Sequence, residues 1–156
     1  MLKLLYVTGL WSGLADVLFD GQPPRGMPAF FRPLRELTER GHQVDLLVYA
    51  PAGRKLNLGV DWLKPAQFTL VPAAATVGTG SLGRLGSLWL KARRQLAVGD
   101  YDFVYGQGTL GTLGVMAANN RALPCGQRLY GISYFTREFS DRPLNAVQRS
   151  FLDAEF

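Results

Sequence analysis

Residues 2–8, LKLLYVT, are apolar at most positions apart from Lys3, the pattern of a parallel strand buried on both faces. The run ends in a loop expected from Gly9 to Pro24, where glycines and prolines punctuate the chain. From Met27 onward the apolar positions Met27, Phe30, Leu34 and Leu37 recur at helical spacing, while Arg32, Arg35, Glu36 and Glu39 fall on the other side and Gly41 supplies a stop. Pro28 suits the first turn of that helix, and Pro33 is expected to kink it. Two strands follow: His42 to Tyr49 (HQVDLLVY), then a shorter one, Gln67 to Val71 (QFTLV).

The segment from Pro72 to Gly86 is dense in Gly, Ala, Thr and Ser and reads as a mobile loop, too short to separate two domains. A helix over Ser81 to Val98 sets Leu82, Leu85, Leu88, Trp89, Ala92 and Leu96 on one side, with Arg84, Lys91 and Arg94 on the other. Tyr101 to Tyr105 is a fourth strand, Thr109 to Arg121 a helix, Gln127 to Ile132 a fifth strand, and Leu144 to Phe156 a last amphipathic stretch. The alternation β-α-β-β-α-β-α predicts an α/β fold, a Rossmann-like parallel sheet with helices on both faces.

Composition narrows the partners. The 156 residues are 47% hydrophobic, enough to fill the core of one domain. A net charge of +5 points to an anionic partner, but the basic residues are scattered with no long block, and no nucleic-acid partner is expected. With one cysteine, Cys125, and one histidine, His42, neither an internal disulfide nor a zinc site is expected. Gly9, Ser12 and Gly13 interrupt the apolar N-terminus, which favours a first strand over a secretory signal. No apolar run approaches the ~20 residues that span a bilayer. The expected location is cytoplasmic; the basic face of the Ser81 to Val98 helix is either a solvated surface or a peripheral contact with the inner membrane face.

Residues 101–111, YDFVYGQGTLG, spell G-x-G-x-x-G at Gly106, Gly108 and Gly111. A dinucleotide fingerprint belongs to the first strand and is followed about 20 residues later by an acid that binds the ribose. Here the pattern follows the fourth strand, and no acid occurs before Glu138. A nicotinamide or flavin site is therefore not expected, and no cofactor is assigned. Gly108, Gly111 and Gly114 fall on neighbouring turns of one helix, and close contact between helix and sheet accounts for the latter two. Gly106 and Gly108 also stand at a strand's carboxyl end, where open α/β sheets bind ligands.

The stretch PPRGMPAFFRPLRELTERGHQVDLLVY resembles the first helix and second strand of GT-B glycosyltransferases, in particular family 4, with its Pro, one or two Gly, a helix, then Gly-His and a strand. YDFVYGQGTLGTLGVMAANNRALPCGQRLYGI resembles that family's fourth strand, glycine-bearing loop and helix, a proline, and a fifth strand ending in a His-Gly or Tyr-Gly pair. The likeness runs over nearly the whole chain. It implies a two-domain enzyme that transfers a sugar from a nucleotide-sugar donor to a sugar or lipid-linked acceptor. The N-terminal domain mostly binds the acceptor; the C-terminal one mostly holds the nucleotide. On this reading residues 1–156 are a single truncated acceptor-side domain, the nucleotide-sugar domain is absent, and self-association through the uncovered face is expected.

The resemblance places Gly9 and Gly26 near acceptor and donor phosphates, though as bare turn glycines they would look the same. Arg25 replaces the commoner second glycine of that pair and either contacts an anion or points into water. Gln107 and Tyr130 stand where many members carry His, with Gly131 completing the Tyr-Gly pair. Either side chain can hydrogen-bond a sugar hydroxyl, and neither is a general base at neutral pH. The alternative makes Gln107 a loop residue and Tyr130 a core aromatic. The substrate-binding candidates are thus Gly9, Arg25, Gly26, Gly106, Gln107, Gly108, Tyr130 and Gly131, with no catalytic residue assigned. Asp16, Asp20, Glu138 and Asp141 are expected in loops, where solvated carboxylates are the commoner case. His42 is expected on the opposite edge of the sheet, and Cys125 as a small core residue at the start of a strand. The competing reading is a non-enzymatic α/β module that binds a nucleotide or a protein partner through the Gly106 to Gly111 loop.

Overall fold

A computed structural model describes residues 1–10, 12–25, 28–48, 57, 59–63, 68–72 and 81–128. Among them five parallel strands form one sheet in the order β3-β2-β1-β4-β5, with β1 (Lys3–Thr8) at its centre. β2 (Gln43–Val48) and β4 (Phe103–Gln107) flank it, aligning Leu5 with Asp45 on one side and with Val104 on the other. β3 (Phe68–Pro72) and β5 (Cys125–Arg128) lie outside them. Pro72 ends β3 at the sheet's margin, where a residue without an N–H does least harm.

Because side chains alternate along a strand, the central strand feeds two cores. Leu5 and Val7 are fully buried with Leu88, Ala92 and Leu96 of α3 (Ser81–Val98) and with Leu113 and Ala117 of α4 (Gly108–Asn119). On the other face Tyr6 is buried with Leu14, Val17 and Leu18 of α1 (Ser12–Phe19) and Leu34 of α2 (Pro28–Glu39). The expected Rossmann-like α/β sandwich is the fold observed.

The largest departure is α1, two helical turns inside the segment expected to be a loop from Gly9 to Pro24. Gly13 masks the pattern, yet Leu14, Val17 and Leu18 stand at i, i+3 and i+4 and are 0–2% exposed. Eight residues are too few to hold a helix in water, so burial against the sheet makes it. Asp16 consequently lies in a helix rather than in a loop, whereas Asp20 follows the end of α1 in an exposed bend as expected. α3 spans Ser81–Val98 as expected, so Ser81–Gly86 of the Pro72–Gly86 stretch is helical, while residues 73–80 lie outside the described part. β4 starts two residues later than expected, because Tyr101 belongs to the core ahead of it, and β5 starts two residues earlier than expected, at Cys125, while residues 129–132 lie outside the described part. The Tyr101 hydroxyl donates to Asp45 Oδ2 at 2.6 Å, and burial first, then this carboxylate, push its pKa upward.

α2 runs without a break through Pro33 to Glu39, and Gly41 in the turn beyond stops it as expected. The Gly41 N–H donates to Thr38 O at 3.0 Å, the His42 N–H to Leu37 O at 3.1 Å, and Gly41 has φ +80°. His42 Nδ1 then accepts from the Leu2 N–H at 3.2 Å, so the single histidine ties the entry of β2 to that of β1, remote from the strands' carboxyl ends. α4 ends by the same device with a less suitable residue. Leu123 N–H donates to Ala118 O and Ala122 N–H to Asn119 O, both at 3.2 Å, which places Ala122 at φ +53°. Ala122→Gly is expected to stabilise the domain by about 0.5–1 kcal/mol, since the left-handed penalty on a Cβ exceeds the added entropy of glycine. An unchanged or lower urea midpoint would contradict this.

Candidate active-site crevice

The chain leaves β1 toward β2 and leaves β4 toward β5, so the connections diverge between two neighbouring strands. In open α/β sheets a crevice forms at that switch point, outside the carboxyl ends of the strands. Thr8 and Gln107 are register partners there, followed by Gly9 and Gly108. A Cβ on Gly9 would stand 3.1 Å from Leu110 Cδ1, so the turn after β1 touches the first turn of α4. Two candidates distant in sequence, Gly9 and Gly108, are thereby brought to one place.

The three glycines of the G-x-G-x-x-G pattern divide by role. A Cβ on Gly106 would lie 2.5 Å from Gly111 O, and one on Gly111 2.5 Å from the Gly106 carbonyl carbon, so these two let α4 rest backbone on backbone against β4. Gly114 extends the same contact, since its Cβ would meet Val7 Cγ2 at 2.4 Å. Gly108 differs: it has φ +67° and nothing within 4 Å of an added Cβ. It turns the chain from strand to helix and faces open space at the crevice.

Gln107 stands at the N-cap of α4, yet its side chain makes no capping hydrogen bond. It is 3% exposed and turned toward the sheet, where the Tyr6 hydroxyl donates to Gln107 Oε1. Tyr6 also packs against Tyr105, with ring centroids 4.9 Å apart. Burial raises the pKa of Tyr105, and the Arg128 guanidinium, which hydrogen-bonds its hydroxyl, opposes that shift. Arg128 is the register partner of Gln107 at the end of β5, so hydrogen bonds and the Tyr6–Tyr105 ring contact together link the buried centre of the sheet to its exposed margin. Nothing in the sequence pattern singled out Tyr6, Tyr105 or Arg128; only the alignment of β1, β4 and β5 joins them.

Turning Gln107 inward leaves the first N–H groups of α4 without a side-chain cap, and no acid lies in that first turn. Such a helix start carries partial positive charge and suits an oxyanion or a hydroxyl oxygen. Arg25 is exposed, three residues before α2. Gly26, Tyr130, Gly131, Glu138 and Asp141 lie outside the described residues, as do the stretch 144–156 and the side chain of Arg84. Cys125 opens β5 as expected but is only partly buried, its Sγ 3.1 Å from Asn119 Oδ1. Among the described residues no group of three His, Cys, Asp or Glu side chains can hold a metal ion. Within the same residues no helix is long and apolar enough to cross a membrane.

Fold and strand order together define a Rossmann-like α/β domain whose candidate site is the β1/β4 switch point. Structural comparison gives that fold a GT-B-like character. The chain is similar to the glycotransferase of kitacinnamycin, with a TM-score of 0.55 and 16% identity over 87% of this chain and 32% of that one. It is equally similar to the UDP-GlcNAc 2-epimerase of Methanocaldococcus jannaschii, solved with UDP-GlcNAc and UDP, with a TM-score of 0.55 and 14% identity over 97% of this chain and 38% of that one. A further UDP-N-acetylglucosamine 2-epimerase gives a TM-score of 0.51 at 14% identity, over 98% and 38% of the two chains. This chain thus spans about a third of the length of these proteins. No protein-family model and no curated protein sequence matches it.

Proposed function

We propose that these residues are the acceptor-side domain of a GT-B glycosyltransferase, family-4-like in its motifs. A nucleotide-sugar donor would be held mainly by a second domain outside residues 1–156, and a sugar or lipid-linked acceptor would lie in the β1/β4 crevice. The observation that carries this reading is the crevice itself, where Gly9 and Gly108 keep side chains away from the uncapped start of α4. An oxygen-rich ligand can approach those N–H groups directly, and removing Cβ atoms is what such an approach requires.

Sugar transfer needs donor and acceptor held in register, so residues 1–156 alone are expected to show no turnover. A longer polypeptide that adds a nucleotide-binding domain is expected to glycosylate an acceptor and release the nucleoside diphosphate. Because epimerases share the fold, the same assay should also follow the stereochemistry of the unreacted donor sugar. Turnover by residues 1–156 comparable to that of the longer chain would refute the two-domain reading, and an epimerised donor with no glycosylated acceptor would replace transfer by epimerisation.

A lipid-linked acceptor would be reached most easily from a membrane surface. α3 carries Arg84, Lys91, Arg93 and Arg94 and no acid, with Arg94 exposed and Lys91 partly so. Peripheral binding to anionic lipid at about 1 kcal/mol per basic residue is expected, weakening as salt screens it. Co-sedimentation with anionic but not neutral vesicles, lost when Arg84, Lys91 and Arg94 become Gln, is the supporting result. Equal recovery in the supernatant with both vesicle types would favour a soluble acceptor.

A further inference from the structure

A second concave site is lined by none of the crevice residues Gly9, Gln107 and Gly108. α2 starts on the crevice side and leads into the beginning of β2, so Arg35 and Glu39, in its last two turns, sit near the sheet's amino edge. Together with Pro23, Pro24, Asp61 and Trp62 they line a pocket of about 580 Å³, a volume ordinary for a small-molecule site.

Its walls are built rather than incidental. The Asn57 N–H donates to Leu18 O at 2.8 Å, a Cβ on Gly59 would stand 3.1 Å from Gly21 Cα, and Leu63 is 2% exposed in the core. These contacts fasten the segment around Asp61 and Trp62 to the end of α1. Trp62 is half-buried against the core that contains Leu34, which holds it in the pocket wall.

The lining selects by chemistry. Arg35 Nε donates to Glu39 Oε1 at 2.8 Å, a bond that orients the guanidinium while engaging only one of its five N–H donors. Asp61 is exposed and supplies carboxylate acceptors. An anion would meet Glu39 and Asp61, and a cation would meet Arg35, so a full charge of either sign is disfavoured. A neutral ligand rich in hydroxyls satisfies both sets, because each hydroxyl donates to a carboxylate and accepts from a guanidinium. The apolar C–H face of a pyranose ring suits Trp62 and the two prolines. We infer that this pocket is a neutral saccharide-binding site, separate from the crevice and independent of the reaction carried out there.

The test is titration of the isotope-labelled chain with cellotetraose and maltotetraose, two neutral oligosaccharides of different ring presentation, followed by NMR. The Trp62 indole N–H signal is assigned with Trp62→Phe. At least one sugar should shift that signal saturably while the amides of Gly9 and Gly108 stay in place. Asp61→Asn and Glu39→Gln, both at exposed side chains, should weaken binding about tenfold or more. No saturable shift up to about 10 mM of either sugar would overturn the inference. Shifts confined to Gly9 and Gly108 would also overturn it, as would a response to a lysine-rich tripeptide amide with none to sugar.

Discussion

Gly111→Ala is expected to destabilise the domain by about 2–4 kcal/mol, a large part of the 5–15 kcal/mol typical of a whole domain. The added Cβ would lie 2.5 Å from the Gly106 carbonyl carbon, 2.7 Å from Gly106 Cα and 3.0 Å from Val7 O. All three are backbone atoms of the two central strands, so none can swing aside and α4 must lift from the sheet. Gly86→Ala provides the contrast. Gly86 lies inside α3 with nothing within 4 Å of an added Cβ, and there alanine should stabilise by about 0.5–1 kcal/mol through helix propensity. Urea unfolding of both variants reads the difference. Equal midpoints for the two would mean that α4 does not approach β4 as described.

Tyr6→Phe is expected to cost about 1–3 kcal/mol, because it removes the hydroxyl that donates to Gln107 Oε1 from a site where water does not reach. The interaction is separable by a double-mutant cycle with Gln107→Leu. Since the two side chains meet, the cycle should give a coupling of about 0.5–3 kcal/mol, whereas additive losses would disprove the pairing. If Gln107 positions the start of α4 instead of contacting the acceptor, Tyr6→Phe and Gln107→Leu should also change ligand affinity at the crevice alike. A loss of affinity in Gln107→Leu alone, with Tyr6→Phe unaffected, would make Gln107 a direct ligand.

Much of this architecture can be read along the chain. The apolar run of β1, the period of α2 with its Gly41 stop, and the long stripe of α3 are local patterns whose meaning does not depend on distant residues. The same holds for the fold class, because strands alternating with helices leave few ways to bury both faces of a sheet. The candidate site was legible at its glycines for a related reason: Gly9 and Gly108 end strands in sequence as well as in space.

The tertiary structure decided what those glycines do. Gly106, Gly108 and Gly111 are identical letters, yet two are compelled by backbone contact and one by a positive φ at an open crevice. That distinction depends on how closely α4 approaches β4, a distance no local pattern encodes. α1 likewise owes its existence to the surface beneath it, since two turns with a glycine inside gain their stability from burying Leu14, Val17 and Leu18. The contacts that join Tyr6 to Gln107 and, through Tyr105, to Arg128 required the parallel register of three strands far apart in sequence. Periodicity is a property of neighbours along the chain and therefore survives in the sequence. Side-chain partnership across strands is created when the strands align, and it exists only in the folded molecule.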